Sequence, residues 1–320
     1  MADLALSIVV PVYNEEANLQ ALWQEVCHAL DSTGISFELI LVDDGSQDDS
    51  FAVLTKIVGV DSRVKAIRLR RNFGQTAAMA AGFKAARGAV VVPMDGDLQN
   101  DPADIPLLLE MIHEGYDVVS GWRKNRQDTL ISRRLPSVLA NRLISKMTGV
   151  NLHDYGCSLK AYRRELLSEI NLYGEMHRFI PALASQFGAK VTEVTVNHRA
   201  RRAGVSKYGI DRTLRVILDL VTVKFLLKYS AKPLQLFGKW GVGIGMLGLG
   251  SGMMTLYMKL FEGLSMNRNP LLILTAFLLF SGMNLICLGL LGELVTRTYY
   301  EAQDKPIYTI RESLNLNVES

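Results

Sequence analysis

Val90–Asn100 reads VVVPMDGDLQN, an apolar run of strand type that ends in two carboxylates, Asp95 and Asp97, with one glycine between them. Residues two apart in a strand share a face, but the Gly96 break at the strand end lets the two carboxylates be aimed separately. One can then accept hydrogen bonds from a ligand hydroxyl. The other can hold a hard divalent cation, with Gln99 as a further oxygen donor. In isolation an acidic turn in a solvated loop reads the same way, so the motif takes its weight from its neighbours.

Upstream, strand and helix patterns alternate. Leu6–Val12 is a continuous β-branched and apolar run, as expected of a strand covered on both faces. It leads into Pro11-Val12-Tyr13-Asn14-Glu15, where Asn14 is the expected helix N-cap, and Leu19, Leu22, Trp23, Val26 and Leu30 follow at helical spacing up to Gly34. Phe37–Val42 is a second strand, ending in Asp43-Asp44-Gly45-Ser46 before a helix through Ile57. Val64–Leu69 is a third, followed by an Ala-rich helix from Gln75 to Ala86. Beyond the opening stretch come a helix over Leu107–His113 and strands at Tyr116–Ser120, Leu159–Tyr162 and Val191–Val196. Such alternation predicts an α/β, Rossmann-like fold with a mainly parallel sheet and ligands at the carboxyl ends of the strands. Tyr13, Glu15, Asp43, Asp44, Asp95 and Asp97 all fall just past strand ends, so the topology gathers them at one edge.

Composition narrows the classes. With 35 basic against 32 acidic side chains the net charge is only +3, which gives no reason to expect nucleic acid. Cys27, Cys157 and Cys287 lie far apart with no C-x-x-C pair, arguing against a zinc ribbon or disulfide framework. Neither a G-x-x-x-x-G-K-[ST] loop nor a G-x-G-x-x-G follows a strand, so a backbone nest is not expected to hold phosphate. Carboxylates alone repel a phosphate; a bridging Mg²⁺ or Mn²⁺ reconciles them.

P-V-Y-N-E (11–15), V-D-D-G-S (42–46), R-N-F-G-Q (71–75) and D-G-D-L-Q (95–99), in that order, resemble the family 2 glycosyltransferases of the GT-A fold. Within them the chain resembles the polyprenyl-phosphate glycosyltransferases, among them dolichyl-phosphate mannose synthases and bactoprenol glucosyltransferases, from about residue 5 to 210. The resemblance implies that Pro11, Tyr13, Glu15, Leu41, Asp43, Asp95 and Gly96 meet the nucleotide sugar, and that Asp97 and Gln99 hold the metal. It also implies acceptor-phosphate contacts from Arg123, Arg133 and Ser137, with Asp97 and Arg133 the catalytic pair. An arginine fork suits phosphate bidentately, whereas Arg126, Arg142 and Lys146 in the same basic segment read equally as a solvated helix face.

Asp154 could face the sugar or form a turn, and His153 and Cys157 read as packing. The basic loop Arg199–Tyr208 is either a lid over the diphosphate, through Arg201 and Lys207, or a membrane-surface loop.

Leu214–Tyr229 carries an apolar helical stripe beside Arg212, Arg215, Lys224 and Lys228, the pattern of a helix lying in the membrane interface; a partner-protein helix is the alternative. Trp240–Met258 and Pro270–Gly292 are uncharged and long enough to span a hydrocarbon core, against the alternative of two buried core helices. Gly241, Gly245, Gly248 and Gly252 give small-xxx-small spacing for contact within the hairpin or between subunits. Lys224, Lys228, Lys232 and Lys239 precede the first span and Arg297, Lys305 and Arg311 follow the second, which puts both termini in the cytosol.

The expected organisation is therefore a GT-A domain over 1–210, an amphipathic helix over 211–232, two transmembrane helices within 233–298 (about 236–260 and 269–293) and a cytosolic tail over 299–320. The expected activity is inverting transfer of a sugar, glucose from UDP-glucose, to undecaprenyl phosphate at the inner face of the plasma membrane, by a homo-oligomer. Mannose-type or aminoarabinose-type transfer to a polyprenyl phosphate is the alternative within the class. A processive polysaccharide synthase would carry Q-x-x-R-W and further spans, which are not seen. A catalytically silent, membrane-held scaffold that binds sugar nucleotides would have no need of the D-x-D and Gln99.

Overall fold

A computed structural model describes residues 4–124, 141, 144–145, 148–170, 172, 176–199, 233–265, 269–302 and 310–315. They fall in two compact units, one within Met1–Leu220 and Pro306–Ser320, the other within Val221–Lys305.

The first unit is built on an eight-stranded sheet. Its elements in order are β1 (Leu6–Val12), α1 (Glu16–Asp31), β2 (Phe37–Asp43), α2 (Ser50–Val60), β3 (Val64–Leu69), α3 (Gln75–Ala85), β4 (Val90–Pro93), α4 (Ile105–His113), β5 (Val118–Trp122), β6 (Lys160–Arg163), α5 (Arg164–Ser168), α6 (Ile180–Gln186), β7 (Val191–Thr195) and, after the second unit, β8 (Ile310–Leu314). Spatially the strands run β7-β5-β6-β4-β1-β2-β3-β8. β4, β1, β2 and β3 are mutually parallel, and β5 pairs parallel with β7. β6 lies antiparallel between β4 and β5, and β8 antiparallel to β3. Because β6 reverses twice, β5 and β7 end at the same edge as β1, β2 and β4.

β1 and β2 are buried almost throughout, which is why they read as unbroken apolar runs. α1 presses Leu19, Leu22, Val26 and Leu30 onto them, and α4 adds Ile105, Leu108 and Ile112 to the same core. α3 is Ala-rich for a steric reason. A Cβ on Gly82 would sit 2.2 Å from Val9 Cγ1, so the helix rests on β1 at a distance that larger residues forbid.

Three expectations change. Asn14 is not the α1 cap; Glu15 takes that place with no side-chain capping bond. Asn14 instead sits at φ 54 and accepts from Gln47 N–H at 2.8 Å, tying one edge loop to the next. β5 starts two residues later than Tyr116, after Asp117 Oδ2 has accepted from Lys190 N–H at 2.8 Å. The tail gives no motif in the sequence, yet Ile310–Leu314 closes the sheet beside β3.

The second unit contains α7 (Pro233–Phe261) and α8 (Pro270–Ala302), packed as a hairpin. Both are long and apolar enough to cross a bilayer, and their apolar side chains stay largely exposed. Their contact is a glycine seam. A Cβ on Gly241 would meet Gly282 O at 2.7 Å, one on Gly248 would meet Leu279 at 3.0 Å, and one on Gly252 would meet Thr275 at 3.1 Å. The expected amphipathic helix Leu214–Tyr229 lies outside the described residues.

Candidate active site

The carboxyl edge is assembled by loops that bond to one another. Asn14 N–H donates to Ser46 Oγ at 2.9 Å and Glu15 N–H to Ser50 Oγ at 2.9 Å, locking the P-V-Y-N-E turn onto V-D-D-G-S. Gly45, at φ +71, is required there: a Cβ would lie 2.5 Å from the Arg71 carbonyl carbon. The R-N-F-G-Q loop is held by Asp44, whose two oxygens accept from Phe73 N–H at 2.7 Å and Gly74 N–H at 2.9 Å. Burial pushes the Asp44 carboxyl up, against those two bonds, which pull it down. Sequence reasoning left Asp44 without a role; the doubled aspartate was the only signal.

Asp43 closes β2 and is fully buried. One oxygen accepts from Ser46 N–H at 2.9 Å. The other, Oδ2, has no hydrogen-bond partner. Arg68 Nε lies 3.3 Å from it, close enough for charge attraction but off the hydrogen-bond axis.

The D-G-D-L-Q loop sits against these. A Cβ on Gly96 would touch Pro11 O at 3.5 Å and Glu15 Cγ at 3.9 Å, so Gly96, Pro11 and Glu15 are brought together as the motifs suggest. Asp95 is gripped on both oxygens, by Gln75 Nε2 at 2.9 Å and Ser158 Oγ at 2.6 Å. Burial, and then the nearby Asp97, pushes its carboxyl up. Gln75 and Ser158 were not singled out from sequence; Ser158 stands in the loop just ahead of the antiparallel β6, far along the chain. Asp97 is buried, and its Oδ1 accepts from Gln99 N–H at 3.2 Å. Leu98, between them, takes the left-handed conformation at φ 62, a strained choice for a branched residue and typical of functional turns.

Other predicted residues fall differently. Leu41 is a core residue packed inside the sheet, 1% exposed. Arg123 does reach it, but its fork is engaged by Asp154, Nε to Oδ2 at 2.7 Å and Nη2 to Oδ1 at 3.0 Å. Asp154 also accepts from Gly156 N–H at 3.1 Å, so it is both turn former and arginine anchor. His153 is exposed, not packed inside; it stacks on Trp122 and pairs with Glu193. Cys157 is buried as expected. Arg133, Ser137, Arg201 and Lys207 lie outside the described residues.

For a divalent cation, Asp97 and Gln99 supply hard oxygen donors in one tight turn. Among the described residues no group of three or more His, Cys, Asp or Glu could form an all-protein cage. Two protein oxygens completed by substrate phosphates and water is the arrangement Mg²⁺ and Mn²⁺ accept. The donor set fits.

A parallel-centred sheet with an acidic D-x-D at its carboxyl edge is the GT-A architecture of glycosyltransferases. Residues 7–170 match glycosyl transferase family 2, and the chain belongs to that family. It is 46% identical over 317 residues to a dodecaprenyl-phosphate galacturonate synthase of Rhizobium johnstonii, covering 97% of this chain and 93% of that one. It is 39% identical over 309 residues to an undecaprenyl-phosphate 4-deoxy-4-formamido-L-arabinose transferase of Aeromonas hydrophila, covering 96% and 93%. In fold it is similar to the glucosyl-3-phosphoglycerate synthase of Mycobacterium tuberculosis solved with Mn²⁺, UDP and phosphoglyceric acid, at TM-score 0.55 and 22% identity over 72% of this chain and 81% of that one.

Proposed function

We propose that the protein transfers a sugar, with inversion, from a uridine diphosphate donor to the phosphate of a polyprenyl lipid at the cytosolic face of a membrane. The observation that carries this reading is the interlocked edge on which Asp43, Asp95, Asp97 and Gln99 stand, in a chain that also has two helices of membrane-spanning length.

The buried Asp43 Oδ2 favours uridine. Arg68 meets that oxygen by charge without a hydrogen bond, so it keeps an acceptor direction that one imide N–H would fill. Uracil offers a single imide donor, whereas guanine offers two side by side, and the second Asp43 oxygen is already taken by Ser46. Asp95, fixed by Gln75 and Ser158, is the carboxylate to orient a donor hydroxyl. Asp97 and Gln99 are the residues that would hold a divalent cation, which would supply charge neutralisation for the departing nucleotide. A phosphate acceptor, with a second pKa near ~6, is already anionic and needs no general base. That suits a site in which Asp154 is committed to Arg123. Direct attack inverts the anomeric centre.

Glucose is the sugar expected from the resemblance, and mannose or a modified arabinose fits the same motifs. The named relatives handle galacturonate and 4-deoxy-4-formamido-L-arabinose, and the 46% identity over nearly the whole chain supports a uronic acid first. The test presents purified protein, Mn²⁺ and undecaprenyl phosphate with UDP-glucose, UDP-galacturonic acid and UDP-4-deoxy-4-formamido-L-arabinose in parallel. UDP-galacturonic acid should be used at least about tenfold faster than the others, a barrier difference of about 1.4 kcal/mol. Asp97→Asn should lose at least that factor with its preferred donor. If UDP binds but no donor is turned over, the scaffold reading takes its place.

A further inference from the structure

The chain leaving β7 runs back along the D-G-D-L-Q loop and is fastened to it residue by residue. Asn197 N–H and Nδ2 donate to the two oxygens of Asp104 at 2.7 and 3.0 Å. His198 forms an antiparallel bridge with Asn100. Arg199 N–H donates to Gln99 O at 3.0 Å, and Arg199 O faces Gln99 Nε2 at 3.5 Å. What holds Arg199 in turn is its guanidinium. Nη1 lies 2.5 Å from Glu25 Oε2 on α1, and Nη2 lies 2.7 Å from Asp101 Oδ1, two residues beyond Gln99.

From this geometry we infer that Arg199 is a positioning residue for the cation site, acting through Gln99. The inference rests on the reading of Asp97 and Gln99 as cation-holding residues given above. A backbone carbonyl can only accept, so the Arg199 carbonyl fixes which end of the Gln99 amide turns toward it. The nitrogen faces Arg199, and Oε1 is left as the end presented for ligation. Gln99 is a neutral, flexible ligand whose amide would otherwise rotate freely and offer nitrogen as readily as oxygen. Asp97 needs no such help, because both of its carboxylate oxygens can ligate. The guanidinium is the part of this arrangement that sequence can change without touching Gln99. By spanning α1 and Asp101 it fixes where the 199 peptide lies over the loop. Groups that orient metal ligands typically change metal affinity by about 10–100-fold when removed.

The test measures Mn²⁺ binding directly, by the loss of the free-ion electron paramagnetic resonance signal, with full-length protein saturated with UDP. Arg199→Ala should weaken Mn²⁺ binding by about tenfold or more, while UDP affinity measured without metal stays within twofold. Arg199→Lys, which can still reach one of the two carboxylates, should recover part of the loss. Glu25→Gln, on α1 and away from the loop, should produce a smaller loss of the same kind; it decides the matter if Arg199→Ala does not fold. Unchanged Mn²⁺ binding in folded Arg199→Ala, or in Glu25→Gln where the alanine variant is lost, overturns the inference while the wild-type and Asp97→Asn controls keep the cation reading intact. If wild-type protein with UDP takes up no Mn²⁺, both fall together.

Discussion

At the scale of single residues, the edge shows how an acidic cluster is held by its own hydrogen bonds. Asp44 and Asp95 are pushed up by burial, yet each is met by two hydrogen-bond donors, so neither is an isolated charge. Asp61, away from the edge, shows the opposite shift. Arg63 contacts it through Nε at 3.0 Å and Nη2 at 2.9 Å, and Trp23 Nε1 donates at 3.1 Å. The Arg63 hydrogen bonds, outweighing burial, hold its carboxyl well below the usual range. Because the folded-state pKa is depressed, the stability it contributes is present above the unfolded value near ~3.9 and is lost as pH falls below it. Asp61→Asn should therefore lower the melting temperature at pH 7 by several degrees, at about 2–4 °C per kcal/mol for a domain of this size. The gap to wild type should narrow as pH falls from about 4.5 toward 3. Thermal melts across pH check this; a gap independent of pH would mean that the carboxylate charge is not the stabilising feature.

At the scale of elements, β8 and the glycine seam carry the testable content. β8 covers what would otherwise be the open edge of β3, with Arg68 opposite Glu312 and Leu314 packed against the core. Leu314→Asp should cost about 1–3 kcal/mol and raise aggregation, read by thermal melts and by light scattering on heating. If neither changes, β8 is not a stabilising strand. In the hairpin, Gly241 and Gly282 approach backbone to backbone, so Gly241→Leu or Gly282→Leu must push α7 and α8 apart. Melting temperature in detergent should fall by several degrees while the light-scattering mass stays that of wild type. A fall in mass would put the glycine face between subunits. These elements also mark what was legible beforehand. β1, β2 and β4 are continuous apolar runs, and they are found where periodicity puts them. The four edge motifs were legible for the same reason, each following its own strand. β8 was not, because its pairing partner β3 lies most of the chain away and Ile310–Leu314 alternates too briefly to declare itself. Ser158 and Arg199 were missed on the same ground: each acts on the D-G-D-L-Q loop across the sheet, and no local pattern marks a hydrogen bond made at that separation.

At the scale of the whole molecule, connectivity constrains how the chain meets a membrane. β3 precedes α7 and β8 follows α8, yet the two pair in one sheet. Strands of one sheet cannot lie on opposite sides of a bilayer, because the backbone groups of a crossing segment must be satisfied within a helix or closed barrel. Any crossings between Leu69 and Ile310 must then be even in number, and α7 and α8 are two helices of sufficient length. This reasoning is independent of charge, and the charges agree with it. Lys228, Lys232 and Lys239 lie ahead of the first span and Arg297 and Arg311 after the second, whereas the connection carries Glu262 between Lys259 and Arg268. We therefore predict that the sheet faces the cytosol and that only the α7–α8 connection is exposed on the far side. With Cys27, Cys157 and Cys287 replaced, single cysteines at Ser265 in the connection and at Glu114 after α4 report the two sides. In intact cells whose outer barrier has been permeabilised, a membrane-impermeant maleimide should label Ser265→Cys and leave Glu114→Cys unlabelled until the inner membrane is opened. Labelling of both positions before opening would mean that α7 and α8 do not cross the bilayer, and labelling of Glu114→Cys alone would invert the orientation.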